Sequence, residues 1–193
     1  MARRKYEFKP DRPDGGLANR LYLTKKQRLS LLKWILFGLV LLVLTVLQDV
    51  VLCRFRIFGA TTDLVPCAIL LSAVLLGSDT GSVFCLIAAC FYDFSGSAPG
   101  TYVIPLLTIL GIGITIFRQS FLRQSLSAAM VCTAASVVAY ELLIWAMGLF
   151  LGQTYLGRLP FFLLTAGLSL LAAPVLYPIL RSIGKIGGET WKE

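Results

Sequence analysis

Histidine is absent from the sequence. Its absence removes the Ser-His-Asp and Cys-His nucleophile systems, the histidine-bearing metal sites and any pH switch built on an unperturbed imidazole. Charge is scarce as well, with 15% of the 193 residues charged against roughly 25% in an ordinary soluble domain. The five cysteines, Cys53, Cys67, Cys85, Cys90 and Cys132, are odd in number and scattered. They never form the closely spaced pairs that a zinc or redox motif requires, so they read as small apolar core residues. Also missing are a P-loop, a G-x-S-x-G turn, a metal-ligand cluster and, within the apolar segments, any pair of acids set within one helix turn for acid-base work. The expectation is a protein with no catalytic residues, no metal and no cofactor.

Apolar residues are what the chain has in excess, at 57%, where roughly 45–50% is usual. This composition points to a membrane. A crossing takes about 20 residues, which leaves room for six or seven in a chain of this length. Six apolar segments can be marked: Leu31 to Cys53, Asp63 to Ser78, Thr80 to Asp93, Thr101 to Phe117, Leu126 to Leu151 and Leu159 to Leu180. The expected fold is all-α, a polytopic membrane bundle of six transmembrane helices. The second and third segments are short, so the third must carry Asp79 or Asp93 near the apolar layer or cross a thin region. The competing reading makes Asp63 to Asp93 a re-entrant hairpin.

The expected organisation is a basic cytoplasmic tail over 1–28, a membrane domain over 29–182 and a short cytoplasmic tail over 183–193. The tail up to about Leu17 should be disordered, since Pro10, Pro13 and Gly15-Gly16 interrupt any regular pattern. A long charged stretch before the first apolar run argues against a cleaved signal peptide, leaving the first helix as an anchor. Lys25, Lys26, Arg28 and Lys33 form a basic cluster suited to anionic lipid rather than nucleic acid. With six crossings, 15 lysines and arginines fall on the side of the termini and 3 on the other. The positive-inside rule then places both termini in the cytoplasm.

Intramembrane charge is the most informative feature of such a chain, because an ionised group at mid-bilayer is costly unless it faces protein or water. Glu141 lies in the middle of the fifth segment, and three roles stay open for it: a contact to a partner helix, a ligand or proton site, or a buried structural carboxyl. Gly81, Cys85, Ala89 and Asp93 recur at four-residue spacing, forming one ridge of small side chains. Such a ridge serves either packing within the chain or capture of a partner helix. Asp93 can also cap the turn that follows it, through Phe94-Ser-Gly-Ser-Ala-Pro-Gly100. Asp93 and Glu141 are the carboxylates that the apolar pattern places deepest. Asp49 and Asp63 flank a loop holding Arg54 and Arg56, and mutual neutralisation at the interface is expected of these four.

The first helix ending near Gln48, the loop Arg56-Ile-Phe-Gly-Ala-Thr-Thr-Asp63-Leu64, then Gly77-Ser78, Gly81, the small ladder to Asp93 and Gly100-Thr-Tyr102 resemble the bacterial rod shape-determining protein family MreD. The layout covers nearly the whole membrane part, and the motifs lie between about Gln48 and Tyr102. Thr62 stands where that family usually has proline, and Cys85 and Ala89 stand where it has glycines. These departures keep the ridge residues small. The resemblance implies a non-enzymatic membrane subunit of the cell-elongation machinery in the bacterial cell membrane. Its partners would be the bitopic protein MreC and, in the same complex, MreB and the wall synthases. The family is also similar in size and helix count to the substrate-binding subunits of energy-coupling-factor vitamin transporters. A binding subunit should carry an outer polar pocket and a first helix with small residues, whereas Trp34 to Leu47 is bulky, with Gly38 its one small residue.

Overall fold

The computed structural model describes residues 25–54, 59–121 and 126–186. Six α-helices occupy them: α1 (Lys25–Val50), α2 (Leu64–Leu76), α3 (Ser78–Phe94), α4 (Val103–Phe121), α5 (Leu126–Phe150) and α6 (Leu159–Gly184). Single 3-10 turns at Leu52–Arg54 and Leu156–Arg158 flank them, and no strand runs among the described residues. Three stretches are long and apolar enough to cross a membrane, Arg28–Arg54, Ser127–Phe150 and Leu156–Gly184. The disordered tail expected before Leu17 lies outside the described residues. The boundary expected at residue 28 falls inside a helix, because Lys25-Lys-Gln-Arg28 are strong helix formers and extend α1 by a turn.

Successive helices run antiparallel, and the end of the bundle that carries the α1–α2, α3–α4 and α5–α6 connections is here termed the upper end. The innermost helix is α2, whose residues from Leu64 to Leu75 are all buried. It is apolar on every face because α3, α4, α5 and α6 all pack around it, as expected for a helix with no solvent stripe. Conversely, α1 is mostly peripheral: Phe37, Leu41 and Leu44 point inward, while Ile35, Leu39, Leu42 and Val46 are exposed. Phe84 on α3 fills the seam, with its ring centroid 5.3 Å from that of Phe37 and 6.1 Å from that of Trp34.

The hairpin between α2 and α3 turns on one residue, Gly77, at φ 89° and ψ 178°. This is a backbone conformation open essentially to glycine alone. Next to it, the ridge on α3 faces into the chain. A Cβ on Gly81 would stand 2.7 Å from the carbonyl oxygen of Ala73 on α2, and a Cβ on Gly111 of α4 would collide with the Cys85 thiol. Cys85 and Ala89 are both 0% exposed. The small residues thus let α3 lie close against α2 and α4 of its own chain. Gly111, which no spacing pattern singles out, supplies the hole that receives Cys85.

Candidate functional site

At 13 residues, α2 is about 20 Å long, well short of the roughly 30 Å hydrocarbon thickness of a bilayer. Its start is sunk into the bundle rather than aligned with the upper end. The Asp63 N–H donates to Ser169 Oγ at 2.9 Å, and Ser169 lies ten residues into α6, about 15 Å below that helix's beginning. Glu141 sits at a similar depth, nine residues before the end of α5. The chain from Gly59 to Asp63 therefore descends as non-helical backbone before α2 begins. Irregular backbone at such depth is tolerable where it lines a cavity or is covered by protein.

Buried helix starts leave N–H groups without intrahelical partners. Here two side chains from other helices supply acceptors. Gln48 Oε1 on α1 accepts from the Val65 N–H at 2.8 Å, and Ser169 Oγ on α6 accepts from Asp63. The ring of Pro66 costs nothing at the third helical position, since its missing N–H would have had no intrahelical acceptor. Gln48 is only 7% exposed, so one buried amide joins α1 to the start of α2.

The descending segment opens a cavity of about 560 Å³ at the upper end. Tyr92, Glu141 and Ile144 form its buried floor, while Tyr155, Arg158 and Phe161 stand exposed at its mouth. Asp63 lines the wall between them, and Thr61, Ser97 and Thr165 add hydroxyls. The carboxyls of Asp63 and Glu141 are near enough for each charge to act on the other. Glu141 is 2% exposed, and its Oε1 has no hydrogen-bond partner among the described residues. The buried hydroxyl of Tyr140, within range of both carboxyls, is also unpaired. At the mouth the Arg158 guanidinium lies over the Tyr155 ring, 5.1 Å from its centroid.

This geometry corrects three expectations. Asp63 does not stay with the exposed Asp49 and Arg54: α2 starts deep, so Asp63 enters the bundle and meets Ser169 and the cavity. Asp49 instead accepts from the Ser97 hydroxyl at 2.7 Å, tying the end of α1 to the α3–α4 connection; Arg56 lies outside the described residues. Asp93 is not among the deepest carboxylates. It is half-buried in the last turn of α3, where the small ridge ends. The turn after Asp93 is closed by its backbone carbonyl, which accepts from Gly96 N–H at 3.1 Å, and by the Ser95 hydroxyl, which donates to the Tyr92 carbonyl at 2.8 Å.

Of the remaining expected residues, Leu64 is buried as the first residue of α2, 7% exposed. Arg28 is exposed and Lys33 half-buried along the first turns of α1; the side chains of Lys25 and Lys26 lie outside the described residues. The structure therefore brings Gln48, Asp63 and Glu141 to one region and leaves the ridge in the packing beside it. Arg158, Tyr155 and Thr165 were not legible as site residues. An isolated arginine in an outer loop was the one available signal. Among the described residues, no three His, Cys, Asp or Glu side chains converge as metal ligands would. Comparison of the chain with protein-family models, with curated proteins and with solved structures found no match.

Proposed function

We propose that this protein is a non-enzymatic integral membrane subunit of the bacterial cell-elongation machinery, of the MreD type. It crosses the cell membrane six times with both termini in the cytoplasm, and acts on lateral peptidoglycan synthesis and cell shape through MreC. The observation that carries the reading is the run of residues from Gln48 to Tyr102 that resembles that family. Its support is that these residues hold the joints of the bundle: Gln48 receives the start of α2, Gly77 turns the hairpin, and Gly81 permits close approach of α2 and α3. The basic side chains at the start of α1 would meet anionic headgroups at the cytoplasmic surface, at about 1 kcal/mol per charge.

Deleting the gene should round or widen the cells, and the tagged protein should co-purify with MreC. Because the α3 ridge is occupied by α2 and α4, the surface available to MreC is the exposed apolar faces of the peripheral helices.

The second reading, a substrate-binding subunit of a vitamin transporter, is favoured by one feature, the polar cavity at the upper end. Against it stands the bulky α1, with exposed Ile35, Leu39, Leu42 and Val46 where a coupling subunit would need small residues. Vitamin uptake lost on deletion, with cell shape unchanged, would establish the second reading over the first.

A further inference from the structure

We infer that the upper cavity is a binding site for a water-soluble small molecule bearing a primary ammonium or guanidinium group, held between Glu141 and Asp63. The site does not depend on which of the two functions is correct, since it follows from the cavity's own residues.

Among the described residues, Glu141 on the floor and Asp63 on the wall bring two carboxyls to similar depth, and the one cation lining the cavity, Arg158, is at the mouth over Tyr155. Glu141 Oε1 is a buried acceptor without a donor. Buried polar groups in folded proteins find partners; the unpaired Tyr140 hydroxyl can serve one acceptor, and the two carboxyls lining the cavity leave further acceptors for a donor from outside the chain. An anion would be repelled by both carboxyls, and an apolar molecule would leave Glu141 unpaired. A divalent metal of the calcium type takes six to eight oxygen ligands, and the described residues bring no third acid to the pair. An N–H-bearing cation satisfies both carboxyls at once through charge-assisted hydrogen bonds. Tyr92 and Phe161 also line the cavity and add aromatic surface, which cations favour. A volume of about 560 Å³ lies within the roughly 300–1,000 Å³ of small-molecule sites. Arg158 at the mouth adds a preference for ligands carrying an anionic group at the far end from the amine.

The test uses the full chain purified in detergent, with thermal unfolding followed against added ethanolamine, putrescine or methylguanidinium. Each should raise the unfolding temperature saturably, beyond the effect of potassium chloride at equal ionic strength. Tetramethylammonium, a cation without N–H donors, should act no more than the salt. Glu141→Gln and Asp63→Asn should each weaken ethanolamine binding at least about tenfold, since each removes a carboxyl that forms a charge-assisted hydrogen bond with the bound ammonium. Arg158→Ala should weaken β-alanine while leaving ethanolamine unchanged. Equal shifts with ethanolamine and tetramethylammonium, no shift beyond salt with any amine, or undiminished binding in a folded Glu141→Gln protein would each overturn the assignment. Where a variant fails to insert, the comparison of amine with tetramethylammonium on the wild-type protein decides it.

Discussion

Replacing Gln48 by methionine removes an acceptor while nearly preserving side-chain volume and flexibility. The Val65 N–H that Gln48 serves, at 2.8 Å, belongs to a residue 0% exposed, so no water can take over. A buried donor left unpaired costs about 1–3 kcal/mol. That range is a roughly 5- to 150-fold shift in the unfolding equilibrium, at about 1.4 kcal/mol per decade. The assay is unfolding of the purified protein in mixed micelles of rising denaturing-detergent fraction, followed by circular dichroism. Gln48→Met should move the midpoint to lower denaturant, and Gln48→Glu should not rescue it. Glutamate restores an acceptor oxygen but places a third carboxyl near Asp63 and Glu141, where like charges repel. A Gln48→Met midpoint equal to wild type would refute the assignment of Gln48 as the acceptor that permits α2 to start inside the bundle, and full rescue by glutamate would refute the like-charge repulsion.

Gly77→Ala places a Cβ on a backbone at φ 89° and should lower stability by about 1–3 kcal/mol, whereas Gly38→Ala, with nothing within 4 Å of the new methyl, should be neutral or slightly stabilising; the same micelle titration compares them. Ala89→Leu forces extra methylenes into a site 0% exposed and should destabilise by about 1–3 kcal/mol, so loss of membrane-inserted protein in pulse-chase labelling is expected, and stable insertion with selective loss of MreC would refute internal packing. A reporter fused at Lys192 should be active only in a cytoplasmic format; periplasmic activity would overturn the even number of crossings.

Helix content and approximate ends were legible from the sequence because apolar runs, Gly77, Pro66 and the turn-rich stretch after Asp93 act locally. The ridge was legible too, since four-residue spacing places side chains along one face of a helix whatever surrounds it. Which neighbour that face meets is not a local property. Gly111 and Ala73 became its partners only when α2, α3 and α4 packed together.

The carboxylates show the same division at the level of the site. Counting residues from the charged ends of apolar runs identified Glu141 as deep, and it is, because α5 is a long regular helix on which position in sequence translates directly into depth. The same counting misplaced Asp63 and Asp93. Its error lay in assuming that each apolar segment starts at the surface, and α2 does not. Once Gln48 and Ser169 provide acceptors for its first N–H groups, the helix can begin deep in the bundle, and the preceding residues are drawn in to wall a cavity. Composition by itself determined that the chain is apolar, helical and poor in chemistry-bearing groups. The meeting of Asp63 and Glu141 in one cavity, with Arg158 at its mouth, was decided only by tertiary structure, because hydrogen bonds between residues 17 and 106 positions apart set the depth of α2.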